Sequence, residues 1–250
     1  MRILICNDDG IDAPGLRLLA RAAQGLSADV WVVAPERKWT AASHQLSFDR
    51  DLTLIRSRER TYACSGAPAD CVVAAMSVLF ADAPKPALVL AGVNDKRNVA
   101  QDLAYSGTMA IAREAAFFGV PAIALSRADH AREEAADVDA LRDLLRLLWR
   151  RRTDWTGEGH WLGLNLPVSL PAPLAQARIG RDKIGGSSEI LRASAERIDY
   201  RLQRGRPGTT TPGDENACLA EGSISIVRYC WFMQAPLPAS TLAAWQDAAG

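Results

Sequence analysis

This sequence predicts an α/β protein with a Rossmann-like, open, mostly parallel sheet, helices on both faces, and a C-terminal hairpin-rich appendage. Three observations carry the expectation. Short apolar runs alternate with helix-length amphipathic stretches as far as Arg152, the pattern of a parallel sheet covered by helices. The 250 residues are 48% hydrophobic, enough to bury a sizeable core. Beyond Arg152 the rhythm breaks, and Pro, Gly and charged residues dominate until SISIVRYCWF at 223–232.

Element by element, residues 2–6 form a short apolar strand that ends abruptly in Asn-Asp-Asp-Gly, and 15–26 place Leu16, Leu18, Leu19 and Ala22 at helical spacing. DVWVVA at 29–34 is a second strand ended by Pro35, and a polar, irregular loop follows over 36–50. Residues 69–82 read as an apolar helix with Asp70 in its first turn, and ALVLAGV at 87–93 as a buried strand. A helix over 107–118, a strand over 121–126 and an amphipathic helix over 138–151 complete the alternation. WLGLNLPVSL adds one more strand. We expect a core over 1–170 that carries the functional site and an extension over 171–250 with hairpins and a terminal helix, the alternative being one continuous domain.

Charge and cysteine content narrow the function classes. Lys plus Arg and Asp plus Glu number 29 each, so no global field draws the chain to nucleic acid or an anionic membrane. The five cysteines are odd in number, scattered and free of CxxC spacing, which argues against a disulfide framework and a zinc site. No secretory pattern precedes the first strand and no apolar stretch is long enough to span a bilayer. A cytoplasmic location is expected, with neither a membrane nor a nucleic-acid polymer as partner.

In an open α/β sheet, ligands bind beyond the carboxyl ends of the strands. Four loops there carry polar residues: NDDG at 7–10, PERKWTAASH at 35–44, GVNDKRN at 92–98 and YSGT at 105–108. Asp8 and Asp9 repel each other unless something positive lies between them. With Thr40 and Asn94 they form an all-oxygen set that suits magnesium, manganese or calcium. The alternative is a helix cap, since Asp is common just before a helix. Ser106, Gly107 and Thr108 open a helix whose amides suit a phosphate, or simply cap it. Asp70 reads as a structural first-turn residue, His44 as a solvated loop side chain, and His130 and His160 as too scattered to form a ligand set.

Together these loops, NDDG, AP(E)R with TAAS, GAPADC and GVNxxxNxxxDxxYSGT, resemble the SurE family of survival proteins, which are metal-dependent 5′(3′)-nucleotidases. LNLP at 164–167 and GDENACLAEGSISI at 213–226 extend the resemblance along most of the chain. It implies that Asp8, Asp9, Thr40 and Asn94 bind one divalent cation per subunit, magnesium or manganese. It also implies that Asn98, Ser106, Gly107 and Thr108 lie against the phosphate of a nucleoside monophosphate, and that the protein is a homodimer or homotetramer exchanging C-terminal hairpins. The chain departs from the family at Thr40, where Ser is usual, and at Ala41, Lys96 and Ala100, where Gly is usual. The mechanism expected is in-line attack of metal-activated water, with Asp9 orienting the water and Asp8 mainly a ligand. Two alternatives are a phosphotransferase working through an aspartyl phosphate, which the adjacent pair disfavours, and a nucleotide- or metal-binding module that has lost turnover. The lack of a GxGxxG after the first strand argues against a dinucleotide enzyme.

Overall fold

The computed structural model describes residues 1–129, 134–232, 238–241 and 245. The expected terminal helix falls mainly, and His130 wholly, outside these residues. The alternation read from the sequence becomes β1 (Ile3–Cys6), α1 (Pro14–Gln24), β2 (Val30–Pro35), β3 (Leu54–Arg58), β4 (Thr61–Cys64) and α2 (Pro68–Ala74), with a π-helical turn over Ala75–Leu79. There follow β5 (Leu88–Asn94), α3 (Asp102–Tyr105), α4 (Gly107–Phe117), β6 (Ala122–Arg127), α5 (Ala135–Arg150), α6 (Arg152–Trp155) and β7 (His160–Leu166). Last come β8 (Leu174–Gln176), β9 (Ser187–Ala193), β10 (Ile198–Gln203), α7 (Glu215–Ala220) and β11 (Ile224–Cys230).

Nine strands form one sheet in the order β3-β4-β2-β1-β5-β6-β7-β11-β8. The pairings from β4 across to β7 are parallel, whereas β3 and β11 run antiparallel to their neighbours β4 and β7. The chain therefore reverses its winding between β1 and β5, the switch point at which an open α/β sheet holds its ligand.

Both faces are covered. One cluster packs Leu18, Leu19 and Ala22 of α1 with Leu141, Leu145 and Leu148 of α5 against Ile3, Ile5 and Leu90. The opposite cluster joins Cys71 and Val72 of α2 with Ile111 and Ala115 of α4 against Leu4, Val89 and Ala91. Because both faces are buried, β1, β5 and β6 are continuous apolar runs rather than alternating ones.

Two parts of the C-terminal segment differ in placement. β8 and β11 extend the core sheet, while β9 and β10 form a separate antiparallel hairpin that packs no apolar face inward. All five cysteines are free thiols, four of them buried. Among the described residues no helix is long and apolar enough to cross a membrane.

Candidate active site

The turn after β1 is shaped by Asn7 and Gly10. Asn7 is fully buried and its amide donates to Gly10 O at 2.8 Å. Gly10 has φ +101° and a Cβ there would sit 3.2 Å from the Arg37 carbonyl carbon, so only glycine lets the 35–44 loop lie this close. That turn carries Asp8 and Asp9 to the switch point. Neither caps α1, whose cap residue is Ala13 with Pro14 at the first helical position, so the capping alternative fails.

Asp8 is buried, and its Oδ1 accepts from the Thr108 hydroxyl at 2.6 Å. Burial pushes its carboxyl up to about 6, with Asp9 adding to the rise and the Thr108 hydroxyl opposing it. Gly107 makes the contact possible, since a Cβ at 107 would lie 2.8 Å from Asp8 Cβ and 2.8 Å from Pro68 Cγ. Asp9 is held differently: its Oδ2 accepts from the Asp95 amide at 3.0 Å and its Oδ1 pairs with Lys38 Nζ. Lys38 also lies 3.3 Å from Asp95 Oδ2. Burial would lower the Lys38 ammonium, but the two carboxylates outweigh it and hold it above its ordinary value. Of the adjacent pair, Asp9 has a positive side-chain partner in Lys38, whereas Asp8 is held by the Thr108 hydroxyl.

One cleft of about 200 Å³ gathers most of the residues singled out from the sequence: Asp8, Asp9, Thr40, Asn94, Asn98 and Ser106 line it. Asn94, at the end of β5, donates its amide nitrogen to Lys96 O at 2.5 Å, which leaves its oxygen available to a ligand. Asn98 is clamped by Ser126 Oγ at 2.7 Å and by reciprocal bonds with Asn165 at 2.8 and 3.0 Å. The Ser106 hydroxyl caps α4 by accepting from the Met109 amide at 3.2 Å. Gly107 and Thr108 stand behind Asp8 rather than in the cleft wall, where they fix that carboxylate.

The structure corrects or extends several expectations. His44 is not a solvated loop residue: its Nε2 lies 2.7 Å from Glu114 Oε2 and its ring stacks on Phe117, tying the 36–50 loop to α4. Asp70 is structural as expected, accepting from the Ala67 and Ser47 amides at 2.7 and 2.9 Å. Lys96 lines the cleft, with its ammonium 3.7 Å from Asp129. Ala41 and Ala100 adopt φ of +54° and +53°, the left-handed conformation that glycine takes without cost, whereas Lys96 does not.

Sequence reasoning missed the basic wall. Arg97, Arg204 and Arg206 line the cleft with Lys38. Arg206 pairs with Asp102 at 2.7 Å and Asp182 at 3.4 Å, and so ties the segment following β10 to α3. For Lys38 a signal existed, a cation two residues before Thr40 in a candidate loop. For Arg206, which is 104 residues from Asp102 in the chain, there was none.

A family model described as Survival protein SurE matches residues 3–185. The chain belongs to the SurE family. A 5′-nucleotidase SurE from Azorhizobium caulinodans is 37% identical over 248 residues, covering 90% of this chain and 91% of the relative. One from Paramagnetospirillum magneticum is 36% identical over 244 residues, covering 92% and 90%. The fold also matches the crystal structure of the SurE protein from Aquifex aeolicus, with a TM-score of 0.76 at 23% identity over 100% of this chain and 99% of that one.

Proposed function

We propose that this SurE-family chain is a nucleotidase that hydrolyses nucleoside monophosphates to nucleoside and phosphate with the help of one divalent cation per subunit. The observation that carries the reading is the adjacent Asp8–Asp9 pair at the sheet's switch point, in one cleft with Asn94, Thr40, Asn98 and Ser106. Its relatives' shared name, 5′-nucleotidase SurE, supplies the substrate class.

The residues present fit a hard cation. Two carboxylates, an amide oxygen and a hydroxyl are an oxygen-only donor set of the kind magnesium and manganese accept. Asp8, desolvated and raised to about 6, is the carboxylate that a cation would relieve most. A divalent cation held there supplies a Lewis acid and lowers the pKa of a bound water.

The remaining work falls to the chain. Asp9 orients the attacking water and receives its proton, while Thr108 and Gly107 keep Asp8 fixed. Asn98 and Ser106, which line the cleft, hold the phosphate oxygens as charge develops on them. The nucleoside leaves as an alcohol.

The same reading places the protein in the cytoplasm as a homodimer or homotetramer, acting on free nucleotides without a nucleic-acid polymer or membrane partner. Support for self-association comes from the β9–β10 hairpin, where Ile190, Leu191, Ile198, Tyr200 and Leu202 are all exposed. An apolar surface of that kind marks an interaction site, and it lies in the C-terminal segment whose exchange between subunits the family resemblance implies.

The test is phosphate release from a panel of nucleoside monophosphates and p-nitrophenyl phosphate, first with EDTA and then with magnesium, manganese, calcium or zinc restored. Turnover on nucleotides that EDTA abolishes and a cation restores is expected. Folded protein inert with every metal would overturn the enzyme reading in favour of a binding module.

A further inference from the structure

Lys38 touches both acidic residues that face each other across the mouth of the cleft. Its ammonium pairs with Asp9 Oδ1 and lies 3.3 Å from Asp95 Oδ2. The other oxygen of Asp9 is already engaged by the Asp95 amide at 3.0 Å. A divalent cation on Asp9 therefore meets the ammonium already seated on Oδ1, and the two positive groups repel each other across one carboxylate. The Asp9 side chain is only 4% exposed, whereas that of Lys38 is 52% exposed. A carboxylate fixed in the wall thus meets an ammonium on a flexible four-carbon stem, and the lysine is the partner free to move.

We propose that Lys38 couples cation binding to phosphate binding: it neutralises Asp9 in the metal-free cleft, yields Asp9 Oδ1 to an arriving divalent cation, and then donates to the substrate phosphate. The inference rests on the nucleotidase reading above and adds a substrate-binding residue to it. Asp95 makes the exchange feasible, because it already lies beside the ammonium and keeps it at the cleft when Asp9 is taken. Asn98 and Ser106 line the same cleft, so the phosphate expected between them falls within the space that Lys38 also borders. A phosphate dianion offers the ammonium a new partner with several acceptors, and three N–H donors can use them. Phosphate binding after the cation therefore relieves the repulsion between the two positive groups, and each ligand strengthens the other.

The competing account is a plain salt bridge that ties the 36–50 loop to the loop after β5. The two accounts differ in sign. Lys38→Met removes the competitor for Asp9, so calorimetric titration of manganese into nucleotide-free protein should show roughly tenfold tighter binding, within the usual range of coupling between sites. In the manganese-saturated enzyme the same variant should bind inorganic phosphate, read as the product-inhibition constant, roughly tenfold more weakly, and Lys38→Arg should restore most of that loss. A lysine that served only as a tie would leave the phosphate constant unchanged and manganese affinity unchanged or weaker. Either result would overturn the inference while leaving the nucleotidase reading standing. Wild-type protein that binds neither manganese nor phosphate would overturn both. The half-exposed position keeps Lys38→Met clear of the core, and an unchanged melting temperature confirms that the variant is folded.

Discussion

Gly107→Ala tests how tightly Asp8 is held. The added Cβ would lie 2.8 Å from Asp8 Cβ, 2.8 Å from Pro68 Cγ and 3.0 Å from Asp8 Oδ2, against ordinary contacts that begin at 3.4 Å. None of these neighbours is the far end of a long side chain. Asp8 Cβ is one bond from the backbone, and Pro68 is a ring at the first helical position of α2. Something must give by roughly 0.6 Å, and overpacking of this kind costs about 1–3 kcal/mol. Alanine's better helix propensity returns at most about 1 kcal/mol. The net is a loss of about 1–2 kcal/mol, or a melting temperature lower by roughly 2–8 °C for a chain of this size. The effect on rate should be larger in proportion, because a misplacement approaching 1 Å can cost about a hundredfold in turnover. We expect kcat for a nucleoside monophosphate to fall about 10- to 100-fold, read by phosphate release. Gly186→Ala, with nothing within 4 Å of the added Cβ, is the control. A Gly107→Ala protein that is folded and within twofold of wild type in kcat would show that the position of Asp8 is not what the chemistry depends on.

Other expectations follow from the same geometry. Asp8→Asn and Asp9→Asn should each abolish metal-dependent turnover while circular dichroism stays native, and full activity in both would remove the site. Thr40→Ser keeps the hydroxyl and should preserve or raise activity, so a complete loss would show that this loop is wrongly aligned with the family's hydroxyl ligand. Ala41→Gly should stabilise the protein by about 0.5–1 kcal/mol in denaturant unfolding, because an exposed alanine at φ +54° is strained. Ala100→Gly should gain less, since its buried methyl is itself worth about 0.8 kcal/mol. Protons should compete with the cation at Asp8, whose carboxyl stands at about 6 rather than 3.8 in the metal-free fold. Manganese affinity, measured calorimetrically, should be level above about pH 7 and weaken as pH falls through 6. In metal-free protein that raised value favours the fold at low pH, and the contribution is lost as pH rises through 6.

The parts of the fold that were legible are those buried on both faces. Continuous apolar runs such as Ile3–Cys6 and Leu88–Asn94 announce central strands because every residue in them must be apolar. The hairpin of β3 and β4 gave no such signal: β3 is the sheet's edge, its sequence LIRSR has only one half-buried residue, and charge masks its alternation. β9 and β10 have apolar residues at the surface, so their pattern reflects no packing within this chain. Site residues show the same divide. Asp8, Asp9, Asn94 and Ser106 sit at strand ends and in loops that the strand order brings together, and local motif chemistry found them, while Asn98 came only with the family resemblance. Lys38 and Arg206 matter through pairing with distant carboxylates, and such pairs leave no local pattern. Ala41 and Ala100 were visible only as departures from glycine, and the backbone shows why glycine is usual there.

The central claim is that Asp8 and Asp9 share one divalent cation. Crystals grown with manganese and measured at its absorption edge address it without reference to turnover. The account predicts one strong anomalous peak per subunit within coordination distance of Asp8, Asp9 and Asn94, with Lys38 Nζ withdrawn from Asp9 Oδ1. A cleft that shows no peak, with the Lys38–Asp9 pair intact at saturating manganese, would contradict it.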